Sequence, residues 1–324
     1  MTRWGILATG GIAAAFAKDL RLVPDADLVA VGSRSRDAAS RFADRHGIPR
    51  AYGSWRELAA DDDLDVVYVA TPHVAHHDAA MTCLTAGRAV LVEKPITLDR
   101  TTAAELIDTA RARGLFLMEG MWMRCHPLIR RMVEMIADGA IGRITSVRAD
   151  FGLAGPFPPE HRLRDRALGG GALLDLGVYP IHLAHLLLGA PATVQSWASL
   201  SPEGVDENTG LLFGYDSGAV ATMSCGLVGP TGQTAAVTGT HGRIELPAPF
   251  FVPRHLTLHR AEAAAEPERI PVEFPGTGFQ FEAAEVQRCL AAGLPESPLV
   301  PHATTLELMG LLDEIRARIG VTYP

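Results

Sequence analysis

Residues 168–182, LGGGALLDLGVYPIH, set three polar side chains into an apolar run. Asp175, Tyr179 and His182 are spaced i, i+4 and i+7, so on a helix they point to one side. A phenol with a carboxylate and an imidazole near it is a set that can move a proton. A tyrosine with its ordinary pKa near 10 is a poor base at neutral pH, and a nearby ammonium lowers that pKa. Lys94 ends the apolar run RAVLVEK (88–94) and is the obvious ammonium, with Pro95 fixing the turn behind it. Pro180 removes a donor in mid-helix, which predicts a kink that re-aims Tyr179 and His182. The polar side is read as facing a cleft; the competing reading is a buried Asp175/Tyr179 pair capping neighbouring backbone.

A second constellation has the spacing of a nucleotide site. In GILATGGIA the pattern is Ala8-x-Gly10-x-x-Ala13, where a strand meets a helix. Gly10 permits close approach to a pyrophosphate at the helix N-terminus and Ala13 permits tight packing. Ala8 replaces the usual first glycine and can make the turn if its φ is negative. Some twenty residues on, the next strand ends in GSRSR (32–36), where an NAD enzyme carries an acid for the ribose hydroxyls. Ser33, Arg34 and Arg36 suit a 2′-phosphate instead, so NADP(H) is the expected cofactor and NAD(H) the second choice. The competing reading is an exposed basic turn.

In HVAHH, His73 with His76 or His77 has the spacing of a metal pair, but no third ligand is evident. No metal is expected. His73 is read as lining the cofactor pocket at a helix N-terminus. Trp122, Arg124 and Arg162 are candidates for the substrate mouth, and each has an equally good reading as a packing or surface residue.

The elements that must position these residues are legible as periodicity. Strand-like runs at 3–8, 27–33, 64–71, 88–94 and 115–119 alternate with helical stretches at 12–23, 36–47, 75–86 and 101–113. Strands apolar on both faces between helices predict a parallel sheet with ligands at the strands' carboxyl ends. After about residue 125 the rhythm changes. A helix over 127–139 leads into short β-rich runs, TVQSWASL, TGLLFGYDSGAVATMSC, TAAVTGTHGRIEL and HLTLHR, with a hairpin signal at Asp216–Gly218 and a closing helix over 303–319. The fold class is α/β then α+β: an N-terminal Rossmann domain over 1–122 and a mainly antiparallel, open-faced sheet domain over 123–324.

With 324 residues and 48% hydrophobic content, the chain can form two cores. A net charge of −8 without basic runs argues against nucleic acid. No apolar N-terminal run is long enough for a signal or a span, so no membrane is expected. Cys83, Cys125, Cys225 and Cys289 are far apart, which predicts reduced thiols and a cytoplasmic location.

GILATGGIA, ATPHVAHH (70–77), VEKP (92–95), EGMWMRCHP (119–127) and LGGGALLDLGVYPIH occur in the order and spacing of a known family. The chain resembles the glucose-fructose oxidoreductase / inositol dehydrogenase (Gfo/Idh/MocA) family, in its dimeric dihydrodiol dehydrogenase and NADP-dependent xylose dehydrogenase branch. It departs at Ala8, and at Tyr179 where many members carry histidine. The resemblance implies a cofactor held by Ala8, Gly10, Gly11, Ile12, Ser33, Arg34, Arg36, Thr71, Pro72, His73, His76, Glu93 and Lys94, with the substrate between the domains. It implies that Lys94 and Tyr179 hold the substrate oxygen and that Asp175 orients the site, these three being the catalytic set. His182 joins Trp122, Arg124 and Arg162 on the substrate side. The expected function is NADP-dependent hydride transfer between nicotinamide and a secondary alcohol or hemiacetal of a sugar, polyol or cyclic diol, in a homo-oligomer paired through residues 190–275. The alternative is a catalytically silent NADP-binding sensor or scaffold, which has no chemical need of the Lys94/Tyr179 pair.

Overall fold

The computed structural model describes residues 1–261 and 266–324 in two compact units. The first comprises 1–125 with 274–309, the second 126–273 with 310–324.

The first unit is a six-stranded parallel sheet of β1 (Thr2–Leu7), β2 (Ala26–Gly32), β3 (Arg50–Tyr52), β4 (Val66–Val69), β5 (Ala89–Glu93) and β6 (Leu117–Gly120), in the order β3-β2-β1-β4-β5-β6. Every residue of β4 and β5 is buried, as the unbroken apolar runs VVYV and AVLVE require in a sheet covered on both faces. The crossovers are α1 (Gly11–Leu20), α2 (Arg36–His46), α3 (Trp55–Ala59), α4 (His76–Thr85) and α5 (Arg100–Arg113). The order reverses between β1 and β4, and the crevice at such a switch point is where a doubly wound sheet binds dinucleotides.

The expected boundary at 122 leaves out a later piece of this unit. α8 (Phe279–Ala291) packs here, because the buried Asp19 of α1 accepts hydrogen bonds from the backbone N–H of Thr277, Gly278 and Phe279 and from the Thr277 hydroxyl, at 2.8–3.1 Å. Those are the orphan donors of the α8 N-terminus, capped from another helix. A cap supplied from 260 residues away carries no local sequence signal.

The second unit opens with α6 (Pro127–Ala137), capped by His126 and started by Pro127. Its eight-stranded sheet comprises β7 (Ile144–Gly152), β8 (Thr193–Leu200), β9 (Asp206–Gly214), β10 (Val220–Gly226), β11 (Ala235–Gly239), β12 (Gly242–Leu246), β13 (His255–Arg260) and β14 (Glu268–Pro271). The order is β14-β13-β12-β11-β7-β10-β9-β8, and only β7 and β10 pair in parallel. The hairpin at 215–219 closes with Tyr215 N–H on the Ala219 carbonyl at 3.1 Å and Gly218 at φ 80°. α7 (Val178–Leu188) covers one face of this sheet, and α9 (His302–Ile319) passes from the first unit into the second at residue 310. Four residues of the stretch expected to pair, 262–265, lie outside the described residues.

The segment 168–182 is not one α-helix with a kink. Leu173–Gly177 form a π-helical turn, with Val178 N–H reaching back to the Leu173 carbonyl, and α7 follows. The absent donor of Pro180 thus falls where the helix has already been rewound. Gly171 sits at φ 122°, and a Cβ there would lie 2.4 Å from Asp206 Oδ1, so only glycine fits.

Candidate active site

The carboxyl edge of the first sheet gathers most of the cofactor residues expected from sequence. After β1, Gly10 caps α1 with no side chain, and neither Gly10 nor Gly11 would bring a Cβ within 4 Å of another atom. α2, α3 and α5 are capped by Ser35, Ser54 and Asp99. The N–H groups of α1 therefore face open space at the switch point, the arrangement a pyrophosphate needs. Ile12 is exposed beside them.

The condition on Ala8 is not met: its φ is 125°, a glycine conformation. Such strain costs about 1–3 kcal/mol, against about 0.4–1 kcal/mol for the extra freedom of an unfolded glycine. Ala8→Gly is expected to stabilise the protein by about 1 kcal/mol. A raised urea midpoint at unchanged slope checks this; a lowered midpoint refutes it.

After β2, Arg34 is exposed and no acid lies beside it in GSRSR, while the Ser33 hydroxyl accepts from Ser35 N–H at 3.4 Å. Arg36 is instead paired with Glu57 across the surface at 3.1 Å. After β4, Thr71 Oγ1 is buried without a hydrogen-bond partner among the described residues, an orphan that a ligand at this edge would satisfy. Pro72 starts the short turn that carries the buried His73.

His76 is not a ligand-facing group. Its Nδ1 and Nε2 lie 2.8 Å from the Pro95 and Thr71 carbonyls, and burial, then His73 and Lys94, push its pKa down to about 3. A neutral imidazole donates from one nitrogen only, so His76 donates to one of these carbonyls and packs against the other, a buried structural histidine between the end of β4 and the turn after β5. His77, the other half of the suspected metal pair, bonds Asp78 and Glu105 on the surface, and no cluster of three metal-ligating residues occurs among the described residues.

The turn that bears Lys94 is pinned at three successive residues. Glu93 Oε2 accepts from Lys94 N–H at 3.1 Å, His76 holds the Pro95 carbonyl, and Glu119 Oε1 accepts from Ile96 N–H at 3.2 Å. Tyr68, stacked on Phe16, donates its hydroxyl to Glu93 Oε1. Glu119 also accepts from Thr305, and burial raises its pKa to about 7 against the pull of those bonds, Arg124 and Lys94. Sequence reasoning missed Tyr68 and Glu119. An acid inside the apolar run LFLMEG was the available signal.

In the second unit, Asp175 lies in the π turn and forms a two-pronged pair with Arg162, at 3.1 and 3.2 Å. This fork fixes the carboxylate and compensates its charge. Tyr179 opens α7 with its ring against Phe251 and Phe151, centroids 4.7 and 5.6 Å away. Asp175, Tyr179 and His182 are 6, 5 and 1% exposed. The glycine stretch before them is held by Asp206, which accepts from Leu173 N–H at 2.8 Å and Thr209 Oγ1 at 2.7 Å, and by Tyr323, which donates to the Gly170 carbonyl at 2.7 Å.

Two mouth candidates are packed in the first unit. Trp122 is buried and stacked on Phe279, and the buried Arg124 donates from Nε to the Leu299 carbonyl at 2.8 Å. The apolar stretch 166–188 has the length of a membrane span, yet 78% of its most apolar window is buried in the fold.

Comparison with known proteins agrees with this geometry. Residues 2–121 match the family model described as an oxidoreductase family with an NAD-binding Rossmann fold, and 129–245 match the GFO/IDH/MocA C-terminal domain. The trans-1,2-dihydrobenzene-1,2-diol dehydrogenase of Bos taurus is 36% identical over 335 residues, covering 99% of this chain and 98% of that one. Its counterpart in Macaca fascicularis is 37% identical over 329 residues, with the same coverage. KijD10, a 3-ketoreductase from Actinomadura kijaniata solved with NADP and TDP-benzene, superposes with a TM-score of 0.87 at 30% identity, over 98% of this chain and 97% of that one. An aldose-aldose oxidoreductase from Caulobacter crescentus, TM-score 0.87 at 23% identity over 98% and 96% of the two chains, shares the fold.

Proposed function

Because this chain belongs to the Gfo/Idh/MocA oxidoreductase family and is a nicotinamide-dependent dehydrogenase acting on CH–OH groups, we propose that it oxidises a secondary alcohol of a cyclic diol, sugar or polyol with NADP preferred. The observation that carries the reading is the convergence, at one edge of one sheet, of an uncapped glycine turn, a basic β2 end without an acid, and the pinned lysine. Bound nicotinamide supplies the hydride acceptor. The chain's own work is to hold the substrate oxygen with Lys94, to move its proton with Tyr179, and to orient the site with the Asp175–Arg162 fork. Phe151 and Phe251 against Tyr179 favour a flat ring over an open-chain polyol, in line with the dihydrodiol named for the relatives. Those relatives carry enzyme names, which favours catalysis over a silent sensor. A screen of NADP reduction tests the reading. Turnover is expected with a trans-dihydrodiol above xylose, glucose and inositols, and no turnover with any of them refutes it.

NADP(H) is expected to bind more tightly than NAD(H), since a charge-assisted contact is worth about 1.5–3 kcal/mol, or roughly 10- to 150-fold. Arg34→Ala removes most of that preference. Titration of both cofactors checks it, and equal wild-type affinities overturn it. The aligned pairs of β8, β9 and β10 place Trp197 (70% exposed), Leu212 and Val220 on one face of the second sheet, Trp197 opposite the side-chainless Gly210. An apolar face of this kind fits pairing with a second copy in the cytoplasm. Light scattering at micromolar protein is expected to give a dimer or larger, and a monomer counts against it.

A further inference from the structure

The buried residues of α8 are Phe279, Gln280, Glu282, Ala283, Glu285, Val286 and Cys289, and of the two acids among them Glu285 accepts hydrogen bonds from Arg288 and Ser297. Glu282 is fully buried, and neither carboxyl oxygen has a hydrogen-bond partner among the described residues. Gly120 in β6 makes room for it. A Cβ at Gly120 would stand 3.4 Å from Glu282 Oε2 and 3.4 Å from Glu93 Cα, which places the lone carboxyl alongside the end of β5.

Glu93 is buried too, but it is served by donors: the Tyr68 hydroxyl on Oε1 and the Lys94 N–H on Oε2. Two buried carboxyls close enough to feel each other's charge resist ionising together, and donors decide which one carries the charge. Hydrogen bonds to the charged form favour the anion on Glu93. Glu282, with none, is driven neutral; burial first and the charge of Glu93 second push its carboxyl well above the usual range.

We infer that Glu282 holds the single proton of a two-carboxyl pair and leaves Glu93 as the anion of that pair behind Lys94, so that Glu282 is a positioning residue for the catalytic turn. The inference rests on the reading of Lys94 as the group that binds the substrate oxygen. The titratable and charged groups around that turn are Tyr68 from β4, Glu93 from β5, Lys94 just after it, Glu119 from β6, His76 from α4, His73 before it and Arg124 beyond β6. A second anion among them would compete with Glu93 for Lys94. Protonation of Glu282 removes that competition.

Infrared difference spectra of the full chain test the proton directly. Above about pH 8, where Glu119 with its pKa of about 7 is ionised, wild type is expected to show a protonated-carboxyl C=O band that Glu282→Gln abolishes and Glu93→Gln retains. The folded-state pKa of Glu282 lies above its unfolded value, so its contribution to stability is present below the ordinary glutamate range and is lost as pH rises. Glu282→Gln is therefore expected to gain stability over wild type progressively as pH rises above the ordinary glutamate pKa of about 4.3. Glu282→Ala, which opens a space behind Glu93, is expected to lower kcat about tenfold or more, with Glu282→Gln recovering most of the loss. A band that survives Glu282→Gln, or a stability gain that does not change with pH, overturns the proton assignment. Failure of Glu282→Gln to recover kcat overturns the positioning role. Full activity of Lys94→Ala would remove the catalytic lysine and leave the proton on Glu282 standing, so the two failures are distinct.

Discussion

Lys94→Ala is expected to lower kcat by at least about 10²- to 10⁴-fold, with a smaller loss of cofactor affinity. The substitution is clean because the turn is held by its backbone and by neighbouring side chains. Lys94 N–H on Glu93, the Pro95 carbonyl at His76 and Ile96 N–H on Glu119 all survive loss of the lysine side chain. What disappears is a charge and a donor at the carboxyl edge of the sheet. An interaction that strengthens as an alkoxide develops affects kcat more than KM. Lys94→Arg keeps the charge but is expected to rescue poorly, because a planar guanidinium cannot place one donor where the compact ammonium did. Single-turnover kinetics with titration of NADP separate the two effects, and a kcat within tenfold of wild type for the alanine variant refutes the assignment.

How much of this was legible in the sequence differs between the units for physical reasons. The first unit's strands were readable because both faces are buried: VVYV and AVLVE have no polar side to confuse with a helix. Gly47 and Gly114, both left-handed, end α2 and α5 where the sequence suggests. The short β3 and α3 escaped notice, since three and five residues give no period. β14, ERIP, was missed because an exposed edge strand need not be apolar.

In the candidate site, residue types were legible and their partners were not. GSRSR gave the basic β2 end, but Arg36 is spent on Glu57, a partner twenty-one residues away. His76 looked like a ligand by spacing, and its two backbone carbonyls exist only once β4 and β5 lie side by side. Ala8 shows the reverse case: the motif departs from glycine while the backbone keeps glycine's conformation, because the turn geometry is imposed by the strand and helix on either side. The unit boundary failed for the same reason. Asp19 recruits α8 by a contact that no local window contains.

Tyr179→Phe isolates the proton-transfer role, because it removes a single oxygen. The ring keeps its contacts with Phe251 and Phe151, so the fold and the start of α7 should be undisturbed. General acid/base catalysis is worth about 10²- to 10⁴-fold, and kcat is expected to fall by that much with KM and cofactor affinity nearly constant. His182, one turn along α7 and also buried, is the rival. If Tyr179→Phe turns over normally while His182→Ala does not, the histidine carries the proton. If neither loses activity on a good substrate, the reading of DLGVYPIH as catalytic fails. The double variant of Lys94→Ala and Tyr179→Phe adds a test that neither single change provides. Groups serving one transition state give losses far smaller together than the product of the two alone. Multiplying losses would mean that the lysine and the tyrosine act in separate steps.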